Sequence, residues 1–365
     1  MDGNYIVLAN RFVDSIYNGN EIKLYDGDLL ISIDQNGNIL WEKDIPNEEY
    51  CVFKQILQTQ DEGFILAGNI PFSDNDHICL VKTDMEGNLI WNIHLGVTSS
   101  TSRIVTGQPH LSVEQTQDGG YIVIGETYPP NSGTPDLLLV KTDPDGNVEW
   151  EQTFGGNHID QASSVKQTSD GGYIIAARTW SFGSGESDAW VIKTDSTGNL
   201  IWEQIFGGTN FDDAYSIQQT EDGGFVFTGT TYPVNSYKSN AWLVKLDQEG
   251  NLVWEQTYGG EDAPDNGAKV QGTSDGGFII FGRTHTFGAG SFDLWLIKTD
   301  EYGNMIWDRT FGDENQSTFL DGQQTSDSGY ILLGVTYLGA GEYNIDSQYD
   351  LIKTDPDGNV ENGDG

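Results

Sequence analysis

The segment SVKQTSDGGYIIAARTWSFGSGESDAWVIKTDSTGNLIWEQIF occupies residues 164–206 and contains four short apolar runs separated by turn residues. Its central motif is an Asp, a turn that usually contains Gly, an aromatic residue and an apolar run. The motif occurs seven times, 52 to 59 residues apart, beginning at Asp2, Asp61, Asp118, Asp170, Asp222, Asp275 and Asp327. A period of this size indicates an array in which each repeat is one supersecondary unit.

Each repeat predicts four short strands, which we call a, b, c and d. In the quoted segment they cover about residues 164–168, 173–177, 189–194 and 200–206. Strands b and c are mostly apolar, as in strands that are packed on both faces. Between strands a and b, a Gly pair supplies the positive φ of a tight hairpin. Between strands c and d, the Asp of KTDxxGN is expected to accept hydrogen bonds from the turn amides.

A Trp follows the c–d turn in six of the seven repeats. These six account for most of the ten Trp of the chain: Trp41, Trp91, Trp150, Trp202, Trp254 and Trp307. A large aromatic side chain at one fixed position in each repeat can wedge neighbouring sheets together. We therefore assign these residues a structural role.

Four-stranded units that cannot bury both faces alone pack radially into a ring. The sequence therefore predicts an all-β, seven-bladed β-propeller that forms a single domain over residues 1–365. The first blade lacks its inner strand a, and the last blade lacks most of its outer strand d. The expected blades cover about residues 1–46, 50–95, 110–155, 162–207, 214–259, 267–312 and 317–361.

The segment DLWLIKTDEYGNMIW at residues 293–307 resembles the tryptophan-docking repeats of the pyrroloquinoline-quinone-like propellers. The resemblance covers nearly the whole chain and extends to the Gly-rich propeller repeats of bacterial and archaeal surface proteins. It implies the propeller fold and says little about function, because unrelated activities share such folds. The quinone-dependent enzymes with this repeat type have eight blades, and no motif for their cofactor site is found here.

The formal net charge is −39, from 56 acidic and 17 basic residues. Such a surface repels nucleic acid and anionic lipid, so neither is expected as a partner. No apolar run of 18 residues predicts a membrane span, and the N-terminus lacks the features of a signal peptide. We expect a monomer that is extracellular or attached to the cell surface, with the cytoplasm as the alternative.

The two cysteines, Cys51 and Cys79, fall in the second repeat on strands a and c. Strand b is expected to separate them. Neighbouring strands lie ~4.8 Å apart, so a bridge across two such steps is too long. The sequence therefore predicts two buried free thiols.

The b–c loops and d–a crossings vary among the repeats and are expected to share one face of the ring, where binding usually occurs. The first b–c loop is expected over residues 10–26. Five repeats place a ring side chain immediately after strand b, at Tyr128, Trp180, Tyr232, His285 and Tyr337. These rings either form a stacking platform for a ligand or hold the loops in place. The second d–a crossing adds Arg103 and His110, as a ligand site or as a tolerated insertion.

Carboxylates suggest calcium as the candidate ion, and no other cofactor is indicated. The d–a crossings repeat a Gly pair followed by Asp160, Asp212 or Asp265. These residues either form a cation site at the rim or accept hydrogen bonds from backbone amides at the start of strand a. Asp143 and Asp145 are spaced as in a calcium loop, but the twelfth residue is Phe154 rather than Glu, so a plain turn is favoured.

Two functions remain open. The first is a non-catalytic binding or scaffold propeller that recognises a protein or a glycan through the variable face. The alternative is a glycan-active hydrolase or lyase that uses carboxylates on the same face. The five histidines are scattered over different repeats, and no hydrolase, metalloprotease or phosphate-binding motif is present. The sequence therefore favours binding over catalysis.

Overall fold

The computed structural model describes residues 5–17, 20–34, 37–45, 51–69, 78–95, 111–129, 133–234, 236, 238–261, 263–338 and 346–360. Within these ranges the chain contains 26 strands and no helix, and therefore no helix long and apolar enough to cross a membrane. The strands form seven antiparallel sheets in sequence order. Five of the sheets have four strands, whereas the first and the last have three. The predicted all-β class, with seven blades and one strand fewer in each terminal blade, is confirmed.

The chain divides into two compact units, Met1–Gln167 and Thr168–Gly365. The strands of the first unit are β1 (Tyr5–Tyr17), β2 (Asn20–Ile33), β3 (Ile39–Ile45), β4 (Val52–Gln58), β5 (Phe64–Asn69), β6 (Ile78–Thr83), β7 (Leu89–Leu95), β8 (Ser112–Gln115), β9 (Tyr121–Thr127), β10 (Asp136–Thr142), β11 (Val148–Phe154) and β12 (Asp160–Gln167).

The first b–c loop was predicted wrongly. Much of residues 10–26 instead belongs to β1 and β2, which pair as a long hairpin up to Tyr17 and Asn20.

The second unit contains β13 (Tyr173–Thr179), β14 (Asp188–Thr194), β15 (Leu200–Phe206), β16 (Asp212–Gln219), β17 (Phe225–Thr231), β18 (Asn240–Leu246), β19 (Leu252–Tyr258), β20 (Asp265–Gly272), β21 (Phe278–Thr284), β22 (Asp293–Thr299), β23 (Met305–Phe311), β24 (Gln316–Gln324), β25 (Tyr330–Leu338) and β26 (Asp346–Thr354). Successive sheets pack against each other here through strands a and b, as in the contacts of β13 with β16 and of β17 with β20.

Burial follows strand position within each repeat. Strands b and c are buried almost throughout, as in β17 and β18, and supply the apolar core between sheets. Strand d alternates and exposes an apolar pair at its start. In β19 this pair is Leu252, 49% exposed, and Val253, 56% exposed. Strand d is therefore the outer edge of each sheet.

The tryptophan after the c–d turn joins each sheet to the next. The Trp202 ring lies 5.8 Å from that of Phe225, the first residue of strand b in the following sheet. A side chain on Gly250, in the c–d turn of that sheet, would meet the same Trp202 ring. The arrangement recurs as Trp91 with Tyr121, Trp254 with Phe278 and Trp307 with Tyr330. The predicted wedging role is confirmed for these residues.

The a–b turn is built around a buried lysine. Lys245 of strand c donates hydrogen bonds to both carboxylate oxygens of Asp222 and to the Leu246 carbonyl. Burial opposes ionisation of Asp222, but hydrogen bonds from Lys245 and Thr220 outweigh it and lower its pKa to about 2. Six repeats contain this pair: Lys82–Asp61, Lys141–Asp118, Lys193–Asp170, Lys245–Asp222, Lys298–Asp275 and Lys353–Asp327. These pairs occupy six of the 17 basic residues.

The prediction of two free thiols is wrong, because Cys51 and Cys79 form a disulfide with a Cα–Cα distance of 6.3 Å. Cys51 lies just before β4, so it is not held at two full strand spacings from β6. Gly68 of β5 is paired with Cys79 on one side and with Phe53 on the other. A Cβ on Gly68 would lie 2.8 Å from the Cys51 sulfur. The two cysteines therefore meet over a glycine that has no side chain to separate them.

Candidate functional site

Four of the rings predicted after strand b follow that strand directly, whereas the fifth lies inside it, and their exposure differs. In the second unit, Trp180 and Tyr232 follow β13 and β17 and are half-buried, whereas His285 follows β21 and is exposed. Tyr337 is 37% exposed and lies within β25. In the first unit, Tyr128 follows β9 and is half-buried. Arg103 and His110 lie outside the described residues.

Three of these rings contact neighbours on their own face of the second unit. The Arg178 guanidinium lies 5.0 Å above the Trp180 ring. The Tyr232 ring lies 5.9 Å from that of Phe211, and the His285 ring lies 5.2 Å from that of Phe292. Such contacts hold the loops in place, as the second interpretation of these rings expected. They do not by themselves make a ligand site.

Two loops of the second unit present exposed rings that the sequence analysis missed. Residues 181–185 read SFGSG and residues 286–290 read TFGAG, both between strands b and c. Phe182 is 39% exposed and Phe287 is 40% exposed. The repeated Phe-Gly-x-Gly motif could have revealed them, but it occurs in only these two repeats.

Each of these loops is fixed by the same contacts. In the second loop, Thr284 Oγ1 accepts hydrogen bonds from the amides of Thr286 and Phe287. The carboxylate of Asp293 accepts one from Ala289 N at 2.8 Å. Gly288 has a φ of 107°, and a Cβ there would collide with the same carboxylate. Glycine is therefore required at this position, and the hydrogen bonds define one conformation of the loop.

The exposed phenylalanines rest on buried tryptophans. The Phe182 ring lies 5.2 Å from that of Trp190, and the Phe287 ring lies 5.5 Å from that of Trp295. Both tryptophans are at most 1% exposed, and the Trp295 indole N–H donates to Asp308. One side of each phenylalanine is thus supported by the core while another part of the ring faces solvent.

A cavity of about 510 Å3 lies beside Phe287 in the second unit. Its wall combines apolar groups with one cation, and its lining includes Tyr258, Phe287, Met305, Asp308 and Arg309. The Arg309 guanidinium stacks 5.2 Å from the Trp307 ring and donates to the Asp308 carbonyl. Half of the residues that line the cavity are polar or charged, so it is not the mostly apolar pocket that is usual for a small-ligand site.

The three candidate metal ligands accept hydrogen bonds from the protein itself. Asp160, Asp212 and Asp265 are at most 2% exposed. One oxygen of each accepts a backbone amide hydrogen from the preceding Gly pair. Asp265 also accepts from Thr284 Oγ1, Thr286 N and His285 N. These bonds are those expected of a cap at the start of strand a.

Among the residues described, no three His, Cys, Asp or Glu side chains come together as a metal site would require. Calcium binding stays a prediction. The carboxylate of Asp143, in the other candidate loop, accepts hydrogen bonds from Asp145 N, Asn147 N and Asn147 Nδ2. That arrangement is the plain turn that the sequence favoured.

A carboxyl pair in the first unit has unusual acid–base properties. Burial, together with the neighbouring Asp160 carboxylate, raises the pKa of Asp136 to about 6. In the second unit, burial and the nearby Asp212 raise the pKa of Asp188. The corresponding pair in the next repeat is Asn240 and Asp265, whose side chains both lie against Gly259. The arrangement thus recurs from blade to blade.

No family model matches the chain, and no curated protein matches its sequence. Among solved structures, the polysaccharide lyase Uly1 is 12% identical with a TM-score of 0.53, over 94% of this chain and 89% of the lyase. An alpha-L-arabinanase from Penicillium chrysogenum, complexed with arabinobiose, is 12% identical with a TM-score of 0.53, over 84% of this chain and 94% of that one.

An acylaminoacyl peptidase from Pyrococcus horikoshii is 10% identical with a TM-score of 0.52, over 98% of this chain but only 50% of the peptidase. Identities this low show a shared fold and nothing further. The resemblance to the tryptophan-docking repeat family therefore stays an interpretation of the motifs.

Proposed function

We propose that this protein is a non-catalytic binding module that recognises a glycan through the b–c loops of its second unit. The observation that carries the proposal is the matched pair of rigid loops, each holding a partly exposed phenylalanine, Phe182 or Phe287, on a buried tryptophan. Because the loops are ordered in advance by Thr and Asp hydrogen bonds, binding costs little conformational entropy.

The surface of the b–c loops favours a glycan over a protein as the partner. Sugar rings present apolar C–H faces beside hydroxyl groups, which suits exposed aromatic rings set among polar loops. Two of the three structurally similar proteins named above act on or bind saccharides according to their descriptions, which supports the same ligand class. A protein partner is the alternative that the experiment below also tests.

We further propose that the protein works outside the cell or on its surface. The Cys51–Cys79 disulfide supports this, because disulfides persist mainly in oxidising compartments. The net charge of −39 is consistent with a solvated surface in such a setting.

The enzyme alternative has one observation in its favour, the raised pKa of Asp136 beside Asp160. Two neighbouring carboxyl groups, one of them with a raised pKa, are the usual acid–base machinery of glycosidases. However, Asp160 is 0% exposed and caps the Gly156 amide. An equivalent carboxyl pair, Asp188 and Asp212, recurs in the next blade, whereas an active site is expected once. The pair is therefore better explained as part of the blade structure.

The test is a glycan array probed with the wild-type protein and with the double variant Phe182→Ala/Phe287→Ala. We expect binding to at least one glycan class and a loss of about tenfold for each ring removed, as ~1.4 kcal/mol per ring would give. The matched control is Leu252→Ala, which removes an equally exposed apolar side chain from the outer edge of a sheet and should bind as wild type does.

The bound glycans are then incubated with protein and separated by chromatography. Intact glycan supports the binding module, and released product would establish the enzyme instead. Equal binding by the double variant, or capture of protein ligands only, would overturn the proposal.

A further inference from the structure

Arg178 and Arg283 occupy the same position near the end of strand b, in β13 and β21, yet their surroundings differ. Arg178 forms an ion pair with Asp213 at 3.5 Å, and Asp213 is the second residue of strand a in the following sheet. Asp213 also accepts hydrogen bonds from Tyr215 Oη and Ser187 Oγ. The charge of Arg178 is therefore neutralised within the protein.

The position that corresponds to Asp213 beside Arg283 is occupied by Thr318. The strand registers establish this, because Asp213 pairs with Thr230 in its sheet and Thr318 pairs with Val335 at the same place in the last sheet. Among the residues that the structure describes, no carboxylate lies within ion-pair distance of Arg283. Its guanidinium instead lies 4.5 Å above the Phe292 ring.

The groups around Arg283 form a small polar cluster on the variable face. Phe292 contacts Arg283 and also the exposed ring of His285, 5.2 Å away. Asn266 is the register partner of Arg283 on the neighbouring strand, and its side-chain oxygen is buried without a hydrogen-bond partner within the protein. The cluster thus contains a cation, an imidazole and an unused acceptor, and it adjoins the loop that carries Phe287.

The Arg283 cation stands out because the chain as a whole is strongly acidic and most of its lysines are paired. Six lysines are paired with the Asp of an a–b turn, and Lys269 is paired with Asp321. In a chain of net charge −39, a guanidinium that none of the described carboxylates pairs with provides a local site for an anion. The planar fork of arginine matches a carboxylate in a bidentate pair.

We propose that Arg283, with His285 and Asn266, binds the carboxylate of an acidic sugar, so that the recognised glycan contains uronic acid residues. The proposal rests on the glycan-binding function above and adds the ligand class. A singly charged carboxylate fits better than a phosphate dianion, because repulsion from the surrounding acidic residues grows with ligand charge. The sugar ring then lies toward Phe287, and the unused Asn266 oxygen accepts from a sugar hydroxyl.

The test is isothermal titration calorimetry with an oligogalacturonide and with its methyl ester, which keeps the rings and removes the charge. We expect the wild-type protein to bind the acid form at least tenfold more tightly, and this preference to fall with added salt. Arg283→Gln should abolish the preference while binding of the ester persists.

Thr318→Asp is the sharper variant. It leaves Arg283 in place and adds the carboxylate that Arg178 already has, so it should also abolish the preference for the acid form. The control is Lys269→Gln, which makes the same change in net charge on β20, away from the cluster, and should keep the preference. Thermal unfolding of each variant checks that the fold is intact.

The outcomes separate the two proposals. Equal affinity of wild type for acid and ester overturns the carboxylate site but leaves glycan binding standing, as does an acid preference that survives in Arg283→Gln. If the protein binds neither oligosaccharide and no glycan on the array, both the glycan-binding function and the carboxylate site are overturned. Binding of poly-glutamate in place of the oligosaccharides, lost in Arg283→Gln, would assign the site to an acidic peptide and overturn the uronate proposal.

Discussion

Removal of the Cys51–Cys79 bridge is expected to destabilise the first unit by about 3.5 kcal/mol. The two residues are 28 positions apart and form the disulfide that links the start of β4 to β6. The chain-entropy relation for a loop of this length gives about 3.5 kcal/mol at 25 °C. For a unit of about 150–250 residues, 1 kcal/mol shifts the melting temperature by ~2–4 °C, so the expected fall is about 10 °C.

The measurement is differential scanning calorimetry of the wild type with and without a phosphine reductant, beside the variant Cys51→Ser/Cys79→Ser. Reductant should lower the wild-type transition to that of the double variant and leave the double variant unchanged. Both cysteine side chains are at most 4% exposed, so the reductant is added under mildly destabilising conditions that open the blade.

Alkylation of the denatured, non-reduced protein provides the decisive check. No labelled cysteine is expected, because the structure contains no free thiol. Two labelled cysteines per chain, or an equal effect of reductant on wild type and double variant, would refute the reasoning. A useful companion is Gly68→Ala, whose Cβ would lie 2.4 Å from the Val52 carbonyl oxygen and 2.8 Å from the Cys51 sulfur; it should therefore destabilise both the bridged protein and the double serine variant.

Ser328 has a φ of 68° where most a–b turns have Gly, as at Gly276 with a φ of 86°. Ser328→Gly should therefore raise the free energy of unfolding by about 1 kcal/mol, and Gly276→Ser should lower it; equal effects of the two changes in urea unfolding would contradict this. Asp222 has a pKa lowered to about 2 by Lys245 and Thr220 against the effect of burial, so its contribution to stability is complete above pH 4 and is lost as the pH falls through about 2. Because its side chain is 65% exposed, this contribution is below about 1 kcal/mol, and the difference between wild type and Asp222→Asn should shrink in urea unfolding from pH 5 to pH 2.

The fold was predictable because each repeat contains the same residue types at the same positions. The Gly turns, the two apolar strands and the Trp after the c–d turn recur often enough to reveal seven four-stranded units from the sequence. The contact of Trp202 with Phe225 follows from the same rules, since a ring at one fixed position must meet the next repeat at one fixed place.

The disulfide was not predictable from strand spacing alone. The argument that two strand spacings are too long assumed that Cys51 lies in the paired part of strand a and that a side chain lies between the cysteines. Cys51 instead precedes the first paired residue, and at Gly68 the backbone of strand a and the Cys51 sulfur come so close that no side chain fits between the cysteines. Gly occupies the equivalent position in other repeats, for example Gly229 and Gly282, so its presence in this repeat gave no signal.

In the candidate site, too, the features that recur in most repeats were predictable and those that do not were missed. The rings after strand b were found because they repeat, and three of them prove to contact neighbouring side chains on the same face. The exposed Phe182 and Phe287 were missed because their motif occurs only twice. The sequence did not reveal that Arg178 has a carboxylate partner and that Arg283 differs from it, because this depends on which residue of the next sheet lies opposite each arginine.

Departures from the repeat are therefore informative only when the structure does not already account for them. Ser317 replaces the Asp that begins strand a in the three preceding sheets, and its hydroxyl forms a hydrogen bond with Thr336, so this change is satisfied within the blade. Thr318 stands at the next position in place of Asp213, so the strand that supplies a carboxylate to Arg178 supplies none to Arg283. The repeat pairs six lysines with the Asp of an a–b turn, but among the described residues it places no carboxylate beside Arg283, and the proposed uronate would supply one.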